Sequence, residues 1–191
     1  MNLQVIEDLF GDSKEMIEPL LTEKSPNKIK TIHCGTIPDK QYSKGYPTIL
    51  YDGKRGVAGN WNAGWTGWQG IDTLNITILT SCKHIASVRI GSCHAPDDWV
   101  LMPEKVEVWF PDRKEWVPCR KTETEDIMHG RHRVSYICFP RHKKKRWLVG
   151  WKEVSLSKEV KIRIIHPSTL PDWHTYNGEK AWLMIDEIKT D

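Results

Sequence analysis

The chain has 191 residues and a formal net charge of +3, with 39% hydrophobic and 28% charged residues. That balance describes one domain, or one domain plus an appendage, with a sizeable core and excludes a disordered chain. No stretch approaches the ~18 consecutive apolar residues of a membrane-spanning helix. The opening MNLQVIEDLFGDSKE carries acids where a secretory signal would carry Lys or Arg.

Residues 1–27 read as a short helical or irregular leader. Val5, Ile6, Leu9 and Phe10 have helical spacing, Gly11 stops them, and Asp12-x-x-Glu15 resembles a capping box that Pro19 limits. From about residue 28 the pattern becomes β. Leu74, Ile76 and Ile78 alternate with polar residues, as do Val88 and Ile90, then Val106, Val108 and Phe110. Val134, Tyr136 and Cys138 form another set, followed by Val160, Ile162 and Ile164, and finally Leu183 and Ile185. Short period-2 runs separated by Gly, Pro and Asp predict an all-β sandwich or barrel. Residues 51–72 lack periodicity and are rich in Gly, Asn and Trp. A loop that long inside a compact domain is usually functional.

Tryptophan is the compositional outlier, with 10 Trp against 5 Tyr and 3 Phe. A core alone is more simply built from Leu, Ile and Phe, because an indole must also place an N–H. Trp61, Trp65 and Trp68 lie in the Gly-rich loop. Trp99 follows Asp98, and Trp173 lies between Asp172 and His174. An indole beside Asp, Gln or His is the chemistry of a sugar site: the ring stacks on the apolar face of a pyranose while polar groups hold its hydroxyls. The residues expected at such a site are Trp61, Trp65, Trp68, Gln69, Asp72, Trp99, Trp173 and His174. The competing reading is that about half of the indoles fill the core, Trp109 and Trp182 first among them.

The remaining signals are weaker. Cys34, Cys82, Cys93, Cys119 and Cys138 are odd in number and contain no C-x-x-C, which is neither a disulfide framework nor a zinc ribbon. They read mostly as small buried hydrophobes, with a Cys82–Cys93 bridge as an open alternative. Residues 1–27 carry six acids and two bases, and residues 120–146 nine bases and three acids, densest at Arg141–Arg146. That run reads as a solvated loop tip before it reads as a polyanion patch. There is no H-E-x-x-H, G-x-S-x-G, P-loop or G-x-G-x-x-G. His129 and His132 lack a third ligand, Cys93-His94 are adjacent only in sequence, and Asp97-Asp98 read as a loop tip. Nothing supplies an activated group with an orienting partner, so the chain is not expected to be an enzyme.

Four ordered blocks carry a family resemblance. Leu50-Tyr51-Asp52-Gly53-Lys54-Arg55-Gly56 with Trp68-Gln69-Gly70-Ile71-Asp72 is similar to an "L-x-D-G-x-x-G … W-Q-G-F-x-G-x-D" opening. Trp99 to Val108 is similar to "W-I-x-x-P-x-x-V-E-h". Leu170-Pro171-Asp172-Trp173-His174, then Ala181-Trp182-Leu183 to Ile188, is similar to "L-P-x-W-H … A-W-L-F-x-D-E-I". These blocks resemble the discoidin-like (coagulation factor type C) domains at the C-terminus of Bacteroides-type β-hexosaminidases and other glycoside hydrolases. The chain departs from them at Thr66, at Ile78-Leu79-Thr80-Ser81 and at Pro111-Asp112-Arg113-Lys114, and residues 1–27 have no counterpart.

The resemblance implies a galactose-binding-domain-like β-sandwich, a jelly roll of about eight strands, over residues 28–191. It also implies a non-catalytic carbohydrate-binding module, accessory to a glycoside hydrolase domain, that binds glycan through loops at one end. It further implies a structural calcium held by Asp52 and Glu187, and a periplasmic or cell-surface location. The expected partners are glycan and the catalytic domain of a glycoside hydrolase, with no nucleic acid, no membrane and a monomeric state. The rival function is an interdomain or protein-interaction sandwich with no glycan binding of its own. A fragment carrying its parent's enzymatic activity and a polyanion binder through residues 141–146 rank below it.

Overall fold

The computed structural model describes residues 28–57, 59–81, 85, 87–110, 114–128, 130–138 and 159–190. The leader 1–27, Cys82, His129 and the basic run 141–146 lie outside them.

The described chain forms two antiparallel five-stranded sheets. The strands are β1 (Ile29–Cys34), β2 (Thr66–Gln69), β3 (Thr73–Thr80), β4 (Val88–His94), β5 (Lys105–Phe110), β6 (Glu115–Pro118), β7 (Arg120–Met128), β8 (Arg131–Cys138), β9 (Glu159–Ile165) and β10 (Trp182–Thr190). One sheet runs β1-β3-β9-β5-β6 and the other β2-β10-β4-β8-β7.

All six alternating runs in the sequence are strands, and their apolar parity faces the space between the sheets. Leu74, Ile76, Ile78, Val106, Val108, Phe110, Val160, Ile162 and Ile164 from the first sheet meet Val88, Ile90, Val134, Tyr136, Leu183, Ile185 and Ile188 from the second. Period 2 decides this, since a shift of one residue would turn every one of these side chains to solvent.

There are ten described strands rather than about eight, for identifiable reasons. β2 lies in the stretch read as loop. It is only four residues long and contains Gly67, so it offers no alternation to detect. β6 and β7 are edge strands. β6 ends in Pro118, and β7 reads RKTETEDIM, the charged and polar chemistry that keeps an edge from pairing with another chain.

The cysteine reading is corrected. Cys119 and Cys138 form a disulfide. Cys119 follows β6 in one sheet and Cys138 ends β8 in the other, so the bridge ties the sheets together where the chain crosses between them. Cys34 and Cys93 are free thiols, so Cys93 takes no part in a bridge to Cys82.

Candidate functional site

The Trp-rich loop is not a bare rim. Trp65 is 2% and Trp68 1% exposed, which corrects the expectation that both present a face to a ligand. Trp68 points into the inter-sheet core beside Leu183, its cross-strand partner, and its Nε1–H donates to the Thr36 carbonyl at 2.9 Å. Trp65 lies on the other face of the β2–β10 sheet. There it forms a second small core with Cys93, Ala95, Val100 and Met184, around which Tyr42, Trp61, Ile127 and Trp182 pack. Its Nε1–H donates to Val57 O at 3.1 Å. The 53–65 loop can close over this indole because residue 56 is glycine: a Cβ there would lie 2.1 Å from Trp65 Cε2. Trp61 is half-buried, edge-on to Trp65 at 5.5 Å between ring centroids. The physical cause is common to all three. Trp68 in β2 and Trp65 just before it turn to opposite sides of the sheet, and the Gly-rich loop folds back over Trp65 and Trp61.

The other expected residues divide. Gln69 and Asp72 are exposed. Gln69 ends β2 opposite Trp182, and the Asp72 carbonyl accepts the His166 amide at 2.9 Å. Trp99, Trp173 and His174 are brought together. A 3-10 turn at Pro96–Asp98 ends with Trp99 in the left-handed region, at φ 63°. Backbone bonds between Trp99 and Trp182 and between Leu101 and Trp182 fasten this turn to the start of β10. The Arg131 guanidinium grips Asp98 through two nitrogens, at 2.5 and 3.2 Å.

Across from it, residues 170–180 form a loop closed by its own amides. Leu170 N donates to Glu179 O, Gly178 N to Leu170 O, His174 N to Pro171 O and Asn177 N to His174 O. His174 joins the two loops. Its Nδ1 accepts the Tyr176 amide at 3.0 Å, which places the imidazole proton on Nε2, 3.0 Å from the Pro96 carbonyl.

This loop presents aromatic rings to solvent. Trp173 is 69% and Tyr176 57% exposed. The Tyr176 ring lies 5.4 Å from Trp99, which is half-buried against Leu101, Leu170 and Ala181. The rings of Trp173 and Tyr176 stand 5.8 and 6.0 Å from His174. Asp172 and Asn177 are exposed on the same loop and Asp97 on the facing turn. The result is a fixed platform of apolar ring faces edged by hydrogen-bonding groups. Tyr176 is missing from the sequence-based set, although the rule that selected Trp173 reaches it: an aromatic in a polar turn three residues away.

Asp52 and Glu187 do come to one place. Glu187 is buried, its Oε1 accepts Gly53 N–H at 3.2 Å, and its Oε2 has no partner. Burial pushes its carboxyl up to about 7, with the Asp52 charge adding to the shift and Lys189 opposing it. Asp52 is exposed, and its Oδ1 accepts Lys54 N–H at 2.8 Å. The Cys93-His94 pair yields no nucleophile. Burial pushes the Cys93 thiol up to about 12, and His94 Nδ1 accepts the Met102 amide rather than facing sulfur.

No protein-family model and no curated protein matches the sequence. Among solved structures, the chain is similar to a pectin-binding carbohydrate-binding module, at 12% identity and a TM-score of 0.40, with 86% of this chain and 91% of that chain covered. It is also similar to a Ruminococcus gnavus GH29 fucosidase in complex with fucose, at 13% identity and a TM-score of 0.37. That match covers 83% of this chain and 24% of the fucosidase. Likenesses this distant carry no argument about function, which rests on the side chains.

Proposed function

We propose that this chain is a non-catalytic carbohydrate-binding β-sandwich of the discoidin-like kind, and that it holds glycan on the 171–179 loop. The exposure of the Trp173 indole carries this reading. A 69% exposed tryptophan on a loop held by its own backbone bonds, with an edge-on contact to His174 as its ring contact among the described residues, is not accounted for by packing, and Tyr176 extends the same surface. Ring faces stack on the C–H face of a sugar, and Asp172, Asn177 and Asp97 supply acceptors and donors for hydroxyls. A single stacked sugar buries little area, so affinity per site is on the order of 0.1–1 mM. Fused to a glycoside hydrolase, such a module raises the local concentration of its substrate. The Cys119–Cys138 disulfide fits the oxidising surroundings of a periplasmic or surface protein.

The test is affinity electrophoresis and a high-density glycan array with the wild-type chain, Trp173→Ala and Tyr176→Ala. Wild type is retarded by at least one polysaccharide, and both variants lose most of that retardation. No signal for the wild type on any glycan, or full retention by Trp173→Ala, overturns the reading.

The burial of Trp65 and Trp68 favours a second reading, because it removes two of the three indoles of the expected rim. In that reading Trp173 and Tyr176 pack against a neighbouring domain. A chain that binds no glycan but whose Trp173 fluorescence shifts on adding its parent's catalytic domain would establish it.

A further inference from the structure

The resemblance implies a calcium between Asp52 and Glu187, and the residues around those positions can be tested for fit. Two buried carboxylate oxygens without a hydrogen-bond partner favour a cation: Glu187 Oε2, near the Asp52 carboxylate, and Asp186 Oδ1 on the adjacent residue. The rest of the donor set does not fit. Calcium takes about 6–8 oxygens, and among the described residues no group of three or more His, Cys, Asp or Glu is arranged to hold a metal. Asp52 spends its Oδ1 on the amide of Lys54, and Glu187 Oε1 meets an amide proton of the loop rather than sharing an ion with a loop carbonyl. The crevice beside Glu187 is lined by Arg55, Arg89 and Lys189, with Thr122 and Ser135. On this side of Glu187, which Asp52 does not line, three cationic side chains disfavour a divalent cation.

The same loop is fastened by other means one residue away. The β10–β4 ladder loses register between Ile185 and Ile188, the mark of a bulge that re-aims consecutive side chains. Asp186 and Glu187 therefore both accept amide protons from the 53–56 segment. Asp186 is fully buried, and its Oδ1 occupies the space that a Cβ on Gly91 would need. Its Oδ2 accepts Gly56 N–H at 3.2 Å and is ion-paired with Arg133 Nε at 3.3 Å and, more loosely, with Arg55 at 3.9 Å. Arg133 completes the grip by donating to the Gly56 carbonyl at 2.7 Å. Both polar groups of one loop peptide position are thus held by one buried ion pair. Gly56 is also where the loop passes over Trp65.

We propose that Asp186, Arg133 and Arg55 form an internal clasp that fixes the 53–65 loop to β10, and that this clasp replaces the divalent cation implied at Asp52 and Glu187. The chain's own guanidinium groups supply the positive charge, so the loop closes without metal. The clasp does not depend on the glycan reading.

Thermal unfolding of the full chain in chelator and in millimolar calcium tests this, alongside Arg133→Met, Arg55→Gln and Glu187→Gln. In the wild type the two Tm values agree within about 1 °C, since a ligand that does not bind the native state does not stabilise it. Arg133→Met strands a buried carboxylate and lowers Tm by on the order of 10 °C. Arg55→Gln, at a partly exposed and longer pair, lowers it by about 2 °C. Calcium that raises the wild-type Tm by several degrees but not that of Glu187→Gln overturns the proposal. Calcium that stabilises both equally acts elsewhere and leaves the clasp standing. Should Arg133→Met fail to fold, the calcium arm and Arg55→Gln still decide.

Discussion

Trp65→Ala separates the structural indoles from the exposed one. The substitution removes a ring that is 2% exposed and sits among Cys93, Ala95, Val100 and Met184. Truncating a buried Trp to Ala costs about 3–5 kcal/mol. Loss of the Nε1–H bond to Val57 contributes within that range, because the exposed loop lets water reach the freed carbonyl. Taking about 4 kcal/mol, and about 3 °C of Tm per kcal/mol for a chain of this size, the expected fall is about 12 °C. Scanning calorimetry reads it, with Trp173→Ala as the control. That ring is 69% exposed, so its removal moves Tm by about 1 °C at most. A Trp65→Ala variant that unfolds within about 3 °C of the wild type would refute the reasoning, since a filled second core cannot lose an indole so cheaply.

The remaining predictions concern the crosslink and two imidazoles. Reducing Cys119–Cys138 reopens a connection 19 residues long. Chain entropy for a loop near that length is worth about 3 kcal/mol, so a reductant lowers Tm by on the order of 10 °C; an unchanged Tm on complete thiol release would contradict this. His166 and His94 are both held below the usual imidazole range, by burial first in each case, with His132 and Lys121 adding to it for His94. The native state therefore binds fewer protons than the unfolded chain, so their contribution is complete above pH ~6.5 and is lost as pH falls below it. Glu187, held up to about 7, acts in the opposite sense and gains stability as pH falls below that value. The histidine contribution is therefore read as a difference: the Tm gap between wild type and His166→Gln, measured from pH 8 to 5, should narrow below about 6.5. A gap that stays constant to pH 5 would oppose the assignment.

Much of the fold is legible in the residues. Alternation at 74–78, 88–90, 106–110, 134–138, 160–164 and 183–185 places six strands and the correct core face of each, because a half-buried strand must repeat every two residues. The same logic fails for β1, β2, β6 and β7. In β1 the register shifts between Ile29 and Thr31, and the buried Ile29 and Ile32 stand three residues apart, with no period of two. A four-residue strand with a glycine has no period to read, and an edge strand keeps its polar chemistry on purpose.

The candidate site divides in the same way. Composition marks Trp173 and His174 because a polar loop containing an indole is chemically odd wherever it folds. It cannot separate Trp173 from Trp65 and Trp68, since all three are indoles near glycine or polar residues. Which ring is covered depends on what returns over it: Gly56 for Trp65, and the facing sheet for Trp68. The Cys119–Cys138 bridge and the Arg133–Asp186 clasp join residues 19 and 53 positions apart. Local pattern fixes which face of each strand is apolar, because that is a property of neighbours in sequence. Tertiary structure alone decides which aromatic rings and charges stay in water, because burial is a property of neighbours in space.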